Sequence, residues 1–105
     1  MSEQVNHPSH YQGKMECIDA MVEQFGMEKV EDFCEINAFK YLWRAGEKEG
    51  NSKEQDEAKA RWYTRKRIDL FCERHQYTTS EEERQRLTES NMNYYQKKIK
   101  ELKGG

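Results

Sequence analysis

The chain has 105 residues, 34% hydrophobic and 36% charged, with a formal net charge of −2. So even a balance argues against a global field drawing it to nucleic acid or an anionic membrane. No apolar run approaches the ~18–20 residues of a membrane span, and 11% aromatic residues with periodic apolar positions exclude a disordered chain.

The length predicts one domain with a modest core. Its lean hydrophobic content predicts further burial between subunits, hence a homo-oligomer. No signal peptide is visible. The three cysteines, Cys17, Cys34 and Cys72, are odd in number and share no CxxC spacing. They predict a reduced, cytoplasmic protein.

Residues 1–13 lack helical periodicity and hold the single proline. Pro8 biases His7 away from helix, so Val5-Asn6-His7-Pro8-Ser9-His10-Tyr11 reads as an extended arm rich in hydrogen-bonding side chains. The first helix is expected over 14–25, with Met15, Ile18, Val22 and Phe25 as its apolar stripe and Gly26 as its stop. Glu16 and Asp19 lie beside that stripe. Two carboxylates on one face are either solvated, paired with internal cations, or ligands for a hard cation such as Mg²⁺.

A second helix is expected over 28–45, ended by Gly46. Its stretch Phe33-Cys34-Glu35-Ile36-Asn37-Ala38-Phe39-Lys40-Tyr41-Leu42-Trp43-Arg44 is apolar nearly all round, which predicts burial by its neighbours. Yet Asn37, Lys40 and Arg44 recur at i, i+3 and i+7, with Tyr41 and Lys48 close to the same line. Lone charges are expensive to bury. That line therefore faces water, internal carboxylates or an anionic ligand.

Ser52-x-x-Gln55 reads as a capping box opening a helix over 53–76. Asp56, Lys59 and Tyr63 share a face there, and Arg61, Arg65, Lys66 and Arg67 form a basic cluster. Lys59 is placed to join Lys40 and Arg44 around an anion. Thr79 or Ser80 caps a last helix over 80–102. Its residues Thr88, Met92, Tyr95, Ile99 and Leu102 step by four and three, the spacing of a coiled-coil seam. The fold class expected is all-α: four helices, bundle-like and oligomeric, with an N-terminal arm.

Neither GxxxxGK[ST] nor GxGxxG is present, so both standard phosphate cradles are missing. No GxSxG marks a serine nucleophile. His7-x-x-His10 and Cys72-x-x-His75 would make four zinc ligands, but structural zinc sites more often use paired cysteines. There remains a pocket lined by Lys40, Arg44 and Lys59, with acids from the first helix. Tyr11, Tyr41, Trp62 or Tyr63 could stack on a base. Arginine's planar fork suits phosphate oxygens and lysine adds a point charge. Together these groups point to a nucleotide.

Several blocks resemble one family. Val5-Asn6-His7-Pro8-Ser9-His10-Tyr11, Glu16-Cys17-Ile18-Asp19, Asn37-Ala38-Phe39-Lys40-Tyr41-Leu42-Trp43-Arg44, then Asp56, Lys59-Ala60 and Trp62-Tyr63 are similar to a small phage-encoded, SaV-like family. Its signature runs NHPxHY, ECID, NAxKYLWR and DxxKAxWY, and it includes the nucleotide kinase of a T-odd coliphage. The resemblance covers roughly residues 5–70; residues 71–105 match no part of the signature. It implies a site formed by the histidine arm with Glu16, Asp19, Asn37, Lys40, Arg44, Asp56 and Lys59. The chain as a whole reads as a single domain, 1–105: an arm (1–13), the family core helices (14–76) and a C-terminal helix whose seam spacing suggests oligomerisation (77–105).

The leading expectation is a phosphotransferase acting on deoxynucleoside monophosphates in the host cytoplasm, using ATP or another nucleotide. His7, His10 and Asp19 are its candidate catalytic residues. Tyr11, Asn37, Lys40, Tyr41, Arg44, Lys59 and Tyr63 would hold the nucleotide, and Glu16, Asp19 and Asp56 would hold any Mg²⁺. One alternative is an all-α pyrophosphohydrolase resembling MazG, whose full acidic motif is missing here. Another is a non-catalytic binder that sequesters a host signalling nucleotide.

Overall fold

The computed structural model describes residues 15–47, 50 and 52–104. Four helices form there: α1 (Cys17–Phe25), α2 (Met27–Arg44), α3 (Lys53–Arg74) and α4 (Glu81–Leu102). No strand occurs among the described residues, so the protein is all-α, as its periodicity predicts. The arm expected over 1–13, with His7, His10 and Tyr11, lies outside the described residues, as does Lys48.

Local chemistry sets the boundaries. A single residue, Gly26, separates α1 from α2 with φ 93° and ψ 156°, a conformation open essentially only to glycine. Its N–H still donates to Val22 O at 2.8 Å, closing α1. At the start of α3 the capping box is complete: Gln55 N donates to Ser52 Oγ at 3.0 Å, and Ser52 N donates to Gln55 Oε1 at 3.1 Å. Ser80 caps α4 by accepting from Glu83 N at 3.0 Å.

α3 ends at Arg74, two residues before the expected Gln76. Gln76 has φ 54°. Its N–H reaches Glu73 O at 3.1 Å, and Tyr77 N–H reaches back to Cys72 O at 2.8 Å. This is the Schellman closure, made with glutamine where glycine is usual.

The largest interface joins α2 to α3. Ala38 and Ala60, both buried, let the two helices approach closely and share a core with Leu42, Met92 and Ile99. Toward the other end Val30, Cys34 and Leu70 form a second cluster, with Ile18, Met21 and Val22 of α1 packed on it. Pairs at both ends make α2 and α3 antiparallel: Arg44 lies by Asp56 and Glu31 by Arg74. α4 turns back along them. The Tyr95 hydroxyl donates to Glu35, and Lys103 donates to the Trp43 carbonyl.

One expectation is corrected. α2 is not buried all round: Val30, Cys34, Ala38 and Leu42, four residues apart, face inward. Phe33, Ile36 and Trp43 reach the surface, Ile36 at 69% exposure. One inward ridge is enough for α2 to meet α1, α3 and α4. The seam on α4 is likewise spent within the chain. Thr88, Met92 and Ile99 are buried against α2 and α3, while Leu102 is 67% exposed. Most of the stripe is therefore covered within the chain, and its Leu102 end stays at the surface.

The basic cluster of α3 ties the helices together. Arg61 donates to Glu89 at 2.6 and 3.3 Å, and Arg65 to Glu81 through two bonds of 2.6 Å, both on α4. Arg67 lies 3.9 Å from Glu35 of α2, and Lys66 lies 3.9 Å from Asp19 of α1. No described helix is long and apolar enough to cross a membrane.

Candidate functional site

The turn between α2 and α3 brings the last helical turns of α2 beside the first turns of α3. Residues one turn apart on each helix then face a common space. Lys40 and Arg44 come from α2 and Lys59 from α3. All three surround the Tyr41 ring. Lys40 Nζ is 4.7 Å from its centroid, Arg44 Cζ 5.3 Å and Lys59 Nζ 5.4 Å.

Attraction of a cation to an aromatic face is worth about 0.5–1 kcal/mol at an exposed site. It works against the mutual repulsion of three like charges, which water screens strongly. An anion placed among them would meet three donors at once. Among the described residues the carboxylate beside this group is Asp56, whose Oδ1 lies 3.9 Å from Arg44 Nη2. Asp56 has no exposed surface. Lys40 and Lys59 are exposed, so the cluster opens to solvent on the lysine side.

The aromatic residues expected to stack on a base are mostly engaged already. Tyr41 lies nearly parallel to Tyr63, with centroids 5.9 Å apart and 13° between planes. Tyr63 also meets the edges of Phe33 and Trp62. Burial, with smaller contributions from Tyr41 and Cys34, raises the Tyr63 phenol above its ordinary range, and a hydrogen bond with Asn37 works against that rise. Tyr63 thus stacks on the ring that the three cations approach, with Asn37 hydrogen-bonded to it. Trp62, half exposed, lines a groove between α3 and α4 with Arg61, Arg65 and Glu89.

The acids expected to hold Mg²⁺ are dispersed. Asp19 has Lys66 of α3 beside it, and Asp56 has Arg44. Among the described residues no three His, Cys, Asp or Glu side chains gather as a metal site. Of the proposed zinc pair, Cys72 is buried and His75 packs on Phe71 at 4.2 Å between rings. Cys34 is fully buried, and burial pushes its thiol up to about 11, away from nucleophilic chemistry.

The pairing of Arg44 with Asp56 is the feature that sequence reading misses. The spacing of Asp56 and Lys59 puts the acid on the right face of α3, but only the helix–helix turn shows which cation it meets.

No curated protein and no solved structure matches the chain. A family of proteins of unknown function, DUF3310, matches residues 5–65, more than half of the chain and all of α1, α2 and the first part of α3. The matched span contains Lys40, Tyr41, Arg44, Asp56 and Lys59, and the chain belongs to this family.

Proposed function

We infer that the protein binds the phosphate groups of a nucleotide and acts in phage nucleotide metabolism as a phosphotransferase on deoxynucleoside monophosphates. The observation that carries the reading is the convergence of Lys40, Arg44 and Lys59 on Tyr41. Phosphoryl transfer depends chiefly on positioning and on neutralising phosphate charge, and three cations from two helices suit both tasks. Arg44 offers a planar fork to two phosphate oxygens, and the lysines add mobile point charges.

The reaction itself is supplied by the resemblance of the Asn37–Arg44 and Asp56–Tyr63 blocks to the phage family that includes a nucleotide kinase. In that reading ATP is the donor and brings Mg²⁺ with it. His7 and His10, outside the described residues, are in this reading the candidates to relay a proton or close the site, and Tyr11 is one of those to stack on the base. A pyrophosphohydrolase of the MazG kind is less well supported. Its metal needs converging carboxylates, and Asp19 and Asp56 each sit beside a cation of the fold.

The test is product analysis. Given a deoxynucleoside monophosphate and ATP, the protein is expected to yield the diphosphate and ADP. Release of pyrophosphate from a triphosphate would mark a pyrophosphohydrolase instead, and tight binding with the ligand returned intact would mark a sequestering protein. If nucleotides neither bind nor react at millimolar concentration, the basic cluster is structural and the reading is wrong.

A further inference from the structure

Asp56 lies in the first turn of α3 with no exposed surface, and neither carboxylate oxygen accepts a hydrogen bond among the described residues. A carboxylate taken out of water loses hydration that an ion pair without hydrogen bonds does not restore. For stability alone, an amide or an apolar residue would serve better there. The charge has one conspicuous neighbour. Arg44 Nη2 stands 3.9 Å from Asp56 Oδ1, while the centre of the same guanidinium stands 5.3 Å from the Tyr41 ring. The guanidinium is held between a buried negative charge and an aromatic ring.

We propose that Asp56 is a positioning residue of the phosphate site, its buried charge holding the Arg44 guanidinium against Tyr41 so that the fork is presented together with Lys40 and Lys59. This rests on the phosphate reading above and deepens it. Restricting a long arginine side chain before the ligand arrives lowers the entropic cost of binding. The ligand class follows from the charges. Among the described residues three cations and one carboxylate leave a net charge of +2 around Tyr41, which favours a chain of two or three phosphates over a single one.

The sign of one measurement separates this role from simple electrostatics. Asp56→Asn keeps the shape and removes the charge. By Coulomb attraction alone, neutralising an acid beside an anion site tightens anion binding. A positioning acid gives the opposite result. With inorganic tripolyphosphate as the probe in titration calorimetry, Asp56→Asn is expected to bind about tenfold more weakly, comparable to the loss of one hydrogen bond. Its thermal midpoint should be unchanged or higher.

A second readout does not depend on how that variant folds. In the unliganded wild type, the Nε–H resonance of Arg44, assigned through Arg44→Lys, should show the relaxation of a rigid group. Equal or tighter tripolyphosphate binding by Asp56→Asn, or a freely moving Arg44 side chain in the wild type, overturns the proposal. If the wild type itself fails to bind tripolyphosphate, the phosphate reading falls and takes this role with it. That outcome is distinct from one in which both proteins bind alike.

Discussion

Glu31 and Arg74 lock the far end of the α2–α3 pair: Arg74 Nε and Nη2 donate to the two carboxylate oxygens at 2.6 and 3.0 Å. Glu31 is buried, and the guanidinium fork is what satisfies it there. The pair closes the end opposite the cation cluster, so the two ends of one helix pair are held by different means.

Removing one partner of such a pair costs more than removing both. Arg74→Leu should lower the thermal midpoint clearly. The double variant Glu31→Leu/Arg74→Leu is expected to recover about half of that loss or more. A double variant no more stable than the single one would show that Glu31 is held chiefly by other contacts.

Gln76 occupies the left-handed region at the C′ position of α3. A residue with a Cβ pays roughly 1–2 kcal/mol there, partly offset by the greater chain entropy that glycine loses on folding. Gln76→Gly is therefore expected to stabilise the protein by about 0.5–1 kcal/mol in chemical denaturation. A destabilised variant would mean that the glutamine side chain makes contacts outweighing the strain.

The Tyr95 phenol is pushed up to about 12, first by its hydrogen bond to Glu35 and then by burial and the nearby carboxylate charge. The unfolded phenol ionises near its ordinary value of 10. The stability contributed by this group is thus fully present below pH 10 and fades as pH rises from 10 through about 12. Tyr95→Phe should remove that part of the alkaline loss, read as the difference between wild-type and variant unfolding free energies from pH 8 to 12. Parallel curves would contradict the assignment.

Substitutions on α4 distinguish an intrachain core from an oligomeric seam. Ile99→Ala should cost about 2–5 kcal/mol of folding stability, as expected of a buried aliphatic side chain. Leu102→Glu, at an exposed position, should change stability by no more than about 0.5 kcal/mol. Neither variant is expected to alter the molecular mass seen by light scattering. A loss of mass with the fold intact would restore the seam.

Lys40→Ala and Arg44→Ala are each expected to weaken nucleotide binding by about 1.5–3 kcal/mol, the scale of a charged hydrogen bond. Both losses should shrink for the corresponding nucleoside. A chelator should leave binding of the monophosphate unchanged, because side chains supply the positive charge, but abolish transfer from ATP. Binding lost to a chelator would return Glu16, Asp19 and Asp56 to the role of metal ligands.

The helices were legible because their determinants are local. Capping at Ser52 and Ser80, the stop at Gly26 and the apolar periods all act within a few residues, and each helix appears within a turn of its expected bounds. The cations of the site were legible for the same reason, since Lys40 and Arg44 lie one turn apart and Lys59 shares a face with Asp56. The end of α3 was not, because nothing in its composition marks Gln76 for a left-handed conformation.

Tertiary structure alone decided which faces were spent on which neighbours. A periodic stripe shows that a helix has something to bury but not what covers it, so Met92 and Ile99 read equally well as an oligomeric seam and as an internal core. Charges carry the same ambiguity. Arg61, Arg65, Lys66 and Arg67 are indistinguishable from a ligand-binding patch until packing places Glu89, Glu81, Asp19 and Glu35 beside them. Coulomb energy depends on separation in space, and only the antiparallel turn of α2 onto α3 brings Lys59 and the buried Asp56 to the cations of α2.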